Sequence, residues 1–141
     1  MKLSLRYPAS PENARDHAEL AVEVAQEQFD TRLDYSGRSL EILDAGIETL
    51  REEGRDGEEA AEVLFVFGCY LGEVMVRELR GSWMPTGRSA LRHVSPWPMV
   101  VVLPDGSAWD VIGKAYKRLE LGDSEFLPDF FAAAARRGNP T

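Results

Sequence analysis

Cysteine, histidine and long apolar runs are scarce in this 141-residue chain, and each scarcity removes a class of function. The single cysteine, Cys69, allows no internal disulfide, and a chain of this length can bury a core without one. With only His17 and His93, no histidine stands at metal-ligand spacing, so no metal site is expected. No Ser/His/Asp set is evident and Cys69 has no sequence-evident base, so no catalytic residue is nominated. The glycine before Lys114 lacks the GxxxxGK[ST] spacing of a phosphate loop, and no cofactor is expected. The segment MKLSLRYPAS has no apolar signal core. The longest apolar run is broken by Glu73 before the ~20 residues that a membrane span needs. These absences predict a cytoplasmic protein with no membrane partner. Repeats and low-complexity tracts are also missing, and the length predicts a single domain over residues 1–141.

What is present is negative charge, unevenly spread. Residues 1–62 carry 16 acidic and 7 basic side chains, a balance of −9, whereas residues 63–141 carry 8 and 9, a balance of +1. The acidic half would repel a phosphate backbone, so no nucleic-acid partner is expected, and a basic protein is the partner that such a surface steers.

The chain is organised around Ala60–Trp83, AAEVLFVFGCYLGEVMVRELRGSW. At about 100° per residue, apolar residues cover nearly the whole circumference, which predicts a core helix. Glu58, Glu59 and Glu62 load its start and Arg77 and Arg80 its end, as the helix dipole favours. Gly81 is the expected stop. Gly68 and Gly72 share a face and predict close approach of another backbone there. Glu73, inside the apolar run, needs a partner, and Arg77 four residues on is the candidate.

Before this helix, Lys2–Tyr7 reads as a short strand. Ser10, as a cap, and Pro11 open a helix running to about Phe29. Its apolar stripe includes Ala14, Ala18, Ala21 and Ala25. Opposite, Glu12, Asp16, Glu19, Glu23, Glu27 and Asp30 fall within about 80° of arc, a carboxylate ridge from which His17 points away. Ser36 caps a second helix over about 37–53, buried through Leu40, Leu43, Ile47 and Leu50. After Gly81 the pattern changes. Ser82–Met84 and Ala90–Val94 read as short strands, and Met99–Leu103 is the clearest strand. Pro104-Asp105-Gly106 is a hairpin turn leading to a return strand over 107–111. A short basic helix over 112–121 and a last helix over 124–137, docked by Phe126, Leu127, Phe130, Phe131 and Ala134, complete the reading. The predicted fold class is α+β: three main helices around an apolar central helix, a small antiparallel β-sheet and a docked C-terminal helix.

The motifs L-D-Y-S at 33–36, Y-L-G-E at 70–73, R-x-L-x-G-x-W from Arg77 to Trp83 and K-R-L-E-x-G at 117–122 resemble a group of small uncharacterised bacterial proteins. The resemblance covers about three quarters of the chain, from Leu33 onward. Some small acidic bacterial domains of this kind accompany polymorphic toxins as immunity proteins, so the resemblance implies a bacterial protein whose motifs are structural.

Three functional readings follow. The first is a non-catalytic protein-interaction module, immunity-like or regulatory, meeting a basic protein through Asp16, Glu19, Glu23 and Glu27. The second is a small-molecule-binding protein or enzyme with a cleft around Glu73 and Trp83, lined also by Tyr70, Arg77 and His93, where Glu73 would act as acid or base. The third is a homo-oligomer with Trp97 and Phe131 at its interface. Binding to a protein is preferred over catalysis.

Overall fold

The computed structural model describes residues 5–138. Its helices are α1 (Ala14–Phe29), α2 (Ser39–Glu52), α3 (Ala61–Leu79), α4 (Val111–Leu121) and α5 (Leu127–Gly138). Its strands are β1 (Ser82–Pro85), β2 (Met99–Val102) and β3 (Ala108–Trp109), paired antiparallel in the order β1-β2-β3. The fold class is α+β, as expected. No helix among the described residues is long and apolar enough to cross a membrane.

The core is built around α3. Leu64 to Met75 are buried without interruption, and α3 packs chiefly on α1 and α4. Alanines supply most of the buried stripe of α1, so α1 can lie close against α3. The two glycines of α3 are used differently. A Cβ on Gly68 would lie 2.6 Å from the Ile112 Cα, so α4 crosses there at backbone contact, as predicted. A Cβ on Gly72 would lie 2.3 Å from the Trp83 ring, so the approach there is of a side chain and not of a backbone.

The helix ends correct several expectations. The Ser10 hydroxyl caps no backbone N–H; it accepts from Asn13 Nδ2 at 2.9 Å over a 3₁₀ turn at Pro11–Asn13. Ser36 Oγ does accept from the Ser39 N–H at 3.2 Å, and α2 starts at Ser39, two residues after the expected position. Asp56 and Glu59 form a reciprocal capping pair ahead of α3, with Glu59 N–H donating to Asp56 Oδ1 at 2.9 Å. The stop of α3 is made by Arg80, not Gly81: Arg80 takes φ 60 and its N–H returns to the Met75 carbonyl. Gly81 is needed for space, since a Cβ there would lie 2.8 Å from Val101 Cγ1 on β2.

In the sheet, Trp83 pairs with Val101 and Val101 with Trp109. Gly106, at φ 88, closes the hairpin by donating to the Leu103 carbonyl at 2.8 Å. The return strand is shorter than predicted. Asp110 leaves the sheet to cap α4, accepting from Gly113 N–H at 3.0 Å. Ala90–Val94 is a turn, not a strand; Ser89 accepts from Leu91 N–H and Leu91 O from Val94 N–H, so the backbone bonds locally. The predicted Lys2–Tyr7 strand lies partly outside the described residues, and Leu5–Tyr7 is not strand. The last helix starts at Leu127 because Gly122–Glu125 forms a 3₁₀ turn.

Candidate functional site

The α3 residue Glu73 is only 7% exposed. Its Oε2 accepts from Trp83 Nε1 at 3.2 Å, and its Oε1 lies 3.6 Å from Arg77 Nε. The register of β1 against β2 fixes Trp83 over Gly72, one residue before Glu73, and the missing Cβ leaves room for the indole. Arg77 is at the surface. Its guanidinium carbon sits 3.6 Å from the Tyr35 ring centroid, a cation–π contact that continues the chain of groups outward.

Tyr35 is held from four directions. Its ring stacks on Tyr70 with centroids 4.8 Å apart, and its N–H donates to the Tyr70 hydroxyl at 2.7 Å. Its own hydroxyl donates to Glu19 Oε1 on α1 at 2.8 Å. The backbone at Tyr35 is left-handed, φ 66, a conformation that costs a large residue about 1 kcal/mol or more and that persists only when its surroundings hold it. Behind it, the Ser39 hydroxyl donates to the Ser36 carbonyl at 2.6 Å. Tyr70 therefore donates to Ser39 Oγ, 2.6 Å away, and accepts from Tyr35.

The sequence-nominated residues Tyr70, Glu73, Arg77 and Trp83 thus belong to one connected cluster. It also contains Tyr35, Ser39 and Glu19, of which only Glu19 had been nominated, and that for the acidic face. The motifs at 33–36, 70–73 and 77–83 meet here. His93 does not join them: it is exposed in the turn over 90–94, and among the described residues no hydrogen bond, ion pair or ring contact links it to Glu73 or Trp83.

Chemically the cluster is a clamp. Burial, then the Glu19 hydrogen bond, pushes the Tyr35 phenol well above its ordinary range, and burial raises Tyr70 also. Burial, reinforced by the Glu73 carboxylate, raises the Cys69 thiol strongly, so at neutral pH no thiolate is available for attack. Among the described residues no group of three or more His, Cys, Asp or Glu side chains is arranged to hold a metal ion.

On the outer face of α1, Asp16, Glu19, Glu23 and Glu27 are all exposed, as are Glu12 before the helix and Asp30 at its end. Among the described residues none of these six forms an ion pair, and Glu19 alone of the four is engaged, through Tyr35. His17 turns inward, fully buried, with Nε2 donating to the Pro8 carbonyl at 2.9 Å.

One polar assembly escaped sequence reading. Arg118 of α4 is 2% exposed and reaches Asp44 on α2, Glu48 and Asp123. Asp44 also accepts from the Leu127 N–H at 3.0 Å, satisfying a free donor at the start of α5. The signal was present: Asp44 falls on the stripe of Leu40 and Ile47, and Arg118 on that of Val111 and Ala115.

No family model matches the chain, and no curated protein is similar to it. One solved structure is similar in fold: a crystal structure from Bacteroides thetaiotaomicron at 1.50 Å resolution, with a TM-score of 0.62 and 13% sequence identity. The match covers 97% of this chain and 51% of that one, so the chain spans about half the length of that protein.

Proposed function

We propose that the chain is a non-catalytic, cytoplasmic protein-interaction module, immunity-like or regulatory, that meets a basic partner protein through the α1 face. The observation that carries this reading is the set of exposed carboxylates Asp16, Glu23 and Glu27, none of which forms an ion pair among the described residues. Like charges at this spacing cost a few tenths of a kcal/mol per pair in the free protein, and a cationic partner relieves that repulsion. The resemblance to small acidic bacterial domains is consistent with the same reading. A small-molecule cleft around Glu73 and Trp83 has less support, because both Glu73 oxygens already face partners.

The test replaces Asp16, Glu23 and Glu27 by lysine and leaves Glu19, which holds Tyr35, in place. Native chain and variant are used to capture proteins from the lysate of the source bacterium, with mass spectrometry of what is retained. A stoichiometric basic protein held by the native chain and lost by an equally stable variant is the expected result. Identical retention by the two overturns the reading.

A further inference from the structure

Beside the carboxylate ridge, α1 and α3 leave a groove of about 500 Å³. Its floor is Leu5, Leu20, Val24, Val63 and Val66. The first four are packed on the core and remain half-buried, so each leaves apolar surface facing outward. Leu20 and Val24 each follow a ridge carboxylate, Glu19 and Glu23, so by the 100° step they lie on the strip of α1 next to the ridge. Glu62 closes the opposite wall, with Glu58 and Glu59 in the turn that leads into α3. The groove therefore has an apolar floor with Glu62, Arg6 and Gln28 at its edges, and the α1 carboxylates stand on the neighbouring strip of that helix. From Leu20 to Gln28 it runs eight residues of α1, about 12 Å, or a little over two helical turns.

We infer that this groove seats an amphipathic basic helix of a partner protein. The inference rests on the proposed basic partner and specifies how it is held. Charge complementarity selects the occupant. A helix with apolar residues at i, i+3 or i+4, and i+7 places about three anchors on a floor of this length, and its flanking Lys or Arg side chains reach the α1 ridge on one side and Glu62 on the other. Arg6 also lines the groove and has no ion-pair partner among the described residues, so the partner position above it is polar or acidic rather than basic.

The experiment uses the full chain and two synthetic peptides of equal length and equal positive charge. One is an amphipathic Leu/Lys helix; the other has the same lysines with every leucine replaced by glutamine. Affinities are measured by calorimetry and the contact surface by amide and methyl chemical shifts. The amphipathic peptide is expected to bind at least about tenfold tighter, as burial of one further aliphatic side chain would give, with shifts at Leu20, Val24, Val63 and Val66. Val24→Lys, at a half-buried position, should remove that advantage while leaving the Gln-substituted peptide weakened by no more than its added charge requires. Equal binding of both peptides overturns the groove while leaving the acidic-face reading intact. Shifts of the groove residues with protein concentration alone would assign the groove to a second copy of the chain and overturn the inference as well. Binding of neither peptide also overturns it, and the basic-partner reading is then decided by the charge-reversal capture.

Discussion

Arg118 grips Asp44 with two parallel bonds, Nε to Oδ1 at 2.9 Å and Nη2 to Oδ2 at 3.1 Å, although the two residues are 74 positions apart. This fork ties α4 to α2, and through the Leu127 N–H it sets where α5 begins. Both side chains are nearly out of water, at 2% and 6% exposure. The pair therefore matters less for what it adds than for what its disruption would strand.

Arg118→Ala is expected to cost about 3–5 kcal/mol, because it leaves the Asp44 carboxylate buried without its cation. Arg118→Ala combined with Asp44→Asn should recover part of that loss, since no charge is then stranded. Urea unfolding of the single and double variants measures both. A single-variant cost below about 1 kcal/mol would show that Asp44 finds another partner.

The two glycines of α3 separate by what opposes them. Gly68→Ala presses on the Ile112 backbone, which cannot move without shifting α4, and is expected to cost about 1–3 kcal/mol. Gly72→Ala presses on the Trp83 indole, which is half-buried and can swing outward. Its signature is loss of the Trp83–Glu73 bond, seen as a red shift of tryptophan emission, with the smaller loss of stability. Equal costs without an emission change would contradict this.

Tyr70→Phe is expected to destabilise by about 1–3 kcal/mol, since the Tyr35 N–H loses its acceptor and Ser39 Oγ loses its donor in a buried place. Tyr35→Phe keeps the stack on Tyr70 and the contact with Arg77 and loses only an exposed bond to Glu19, so its cost should stay within about 1 kcal/mol. Thermal unfolding ranks the two, and the reverse order would refute the clamp.

Alkaline pH offers a further check. Burial pushes the Tyr116 phenol from its ordinary 10.0 up to about 12, and its hydroxyl donates to the Ala61 carbonyl at 2.8 Å. A group whose folded pKa lies above its unfolded value stabilises fully below the unfolded value, so this contribution is complete below pH 10.0 and is lost as the pH rises through about 12. Tyr116→Phe should make the alkaline decline in unfolding free energy shallower. An unchanged decline would show that Tyr116 ionises no later than a free tyrosine.

The periodicity of α1, α2 and α3 was readable because each faces the core along a repeating stripe, and burial enforces that stripe whatever the tertiary detail. The hairpin at Pro104–Gly106 was readable because its chemistry is local. The Ala90–Val94 strand was misread because a short apolar-leaning run carries no information about a partner strand, and among the described residues none pairs with it. The stop at Arg80 was misassigned to Gly81 because sequence does not separate a glycine needed for left-handed backbone from one needed for space beside Val101.

The candidate site divides in the same way. Glu73 with Arg77 is a one-turn pair, and the α1 ridge is a helical arc, so both were determined by spacing along a single helix. Trp83 was expected near Glu73, but its Nε1 bond to Oε2, like Tyr35 between Glu19 and Arg77 and Arg118 between Asp44 and Glu48, joins separate elements. Their partners were chosen by how α1, α2, α4 and β1 pack on α3. The sequence alone thus determined which side chains each helix presents inward and outward, since the 3.6-residue period is a property of one chain segment. Only the tertiary structure decided which of those side chains meet, because close packing of separate elements selects one arrangement among many that satisfy the same period.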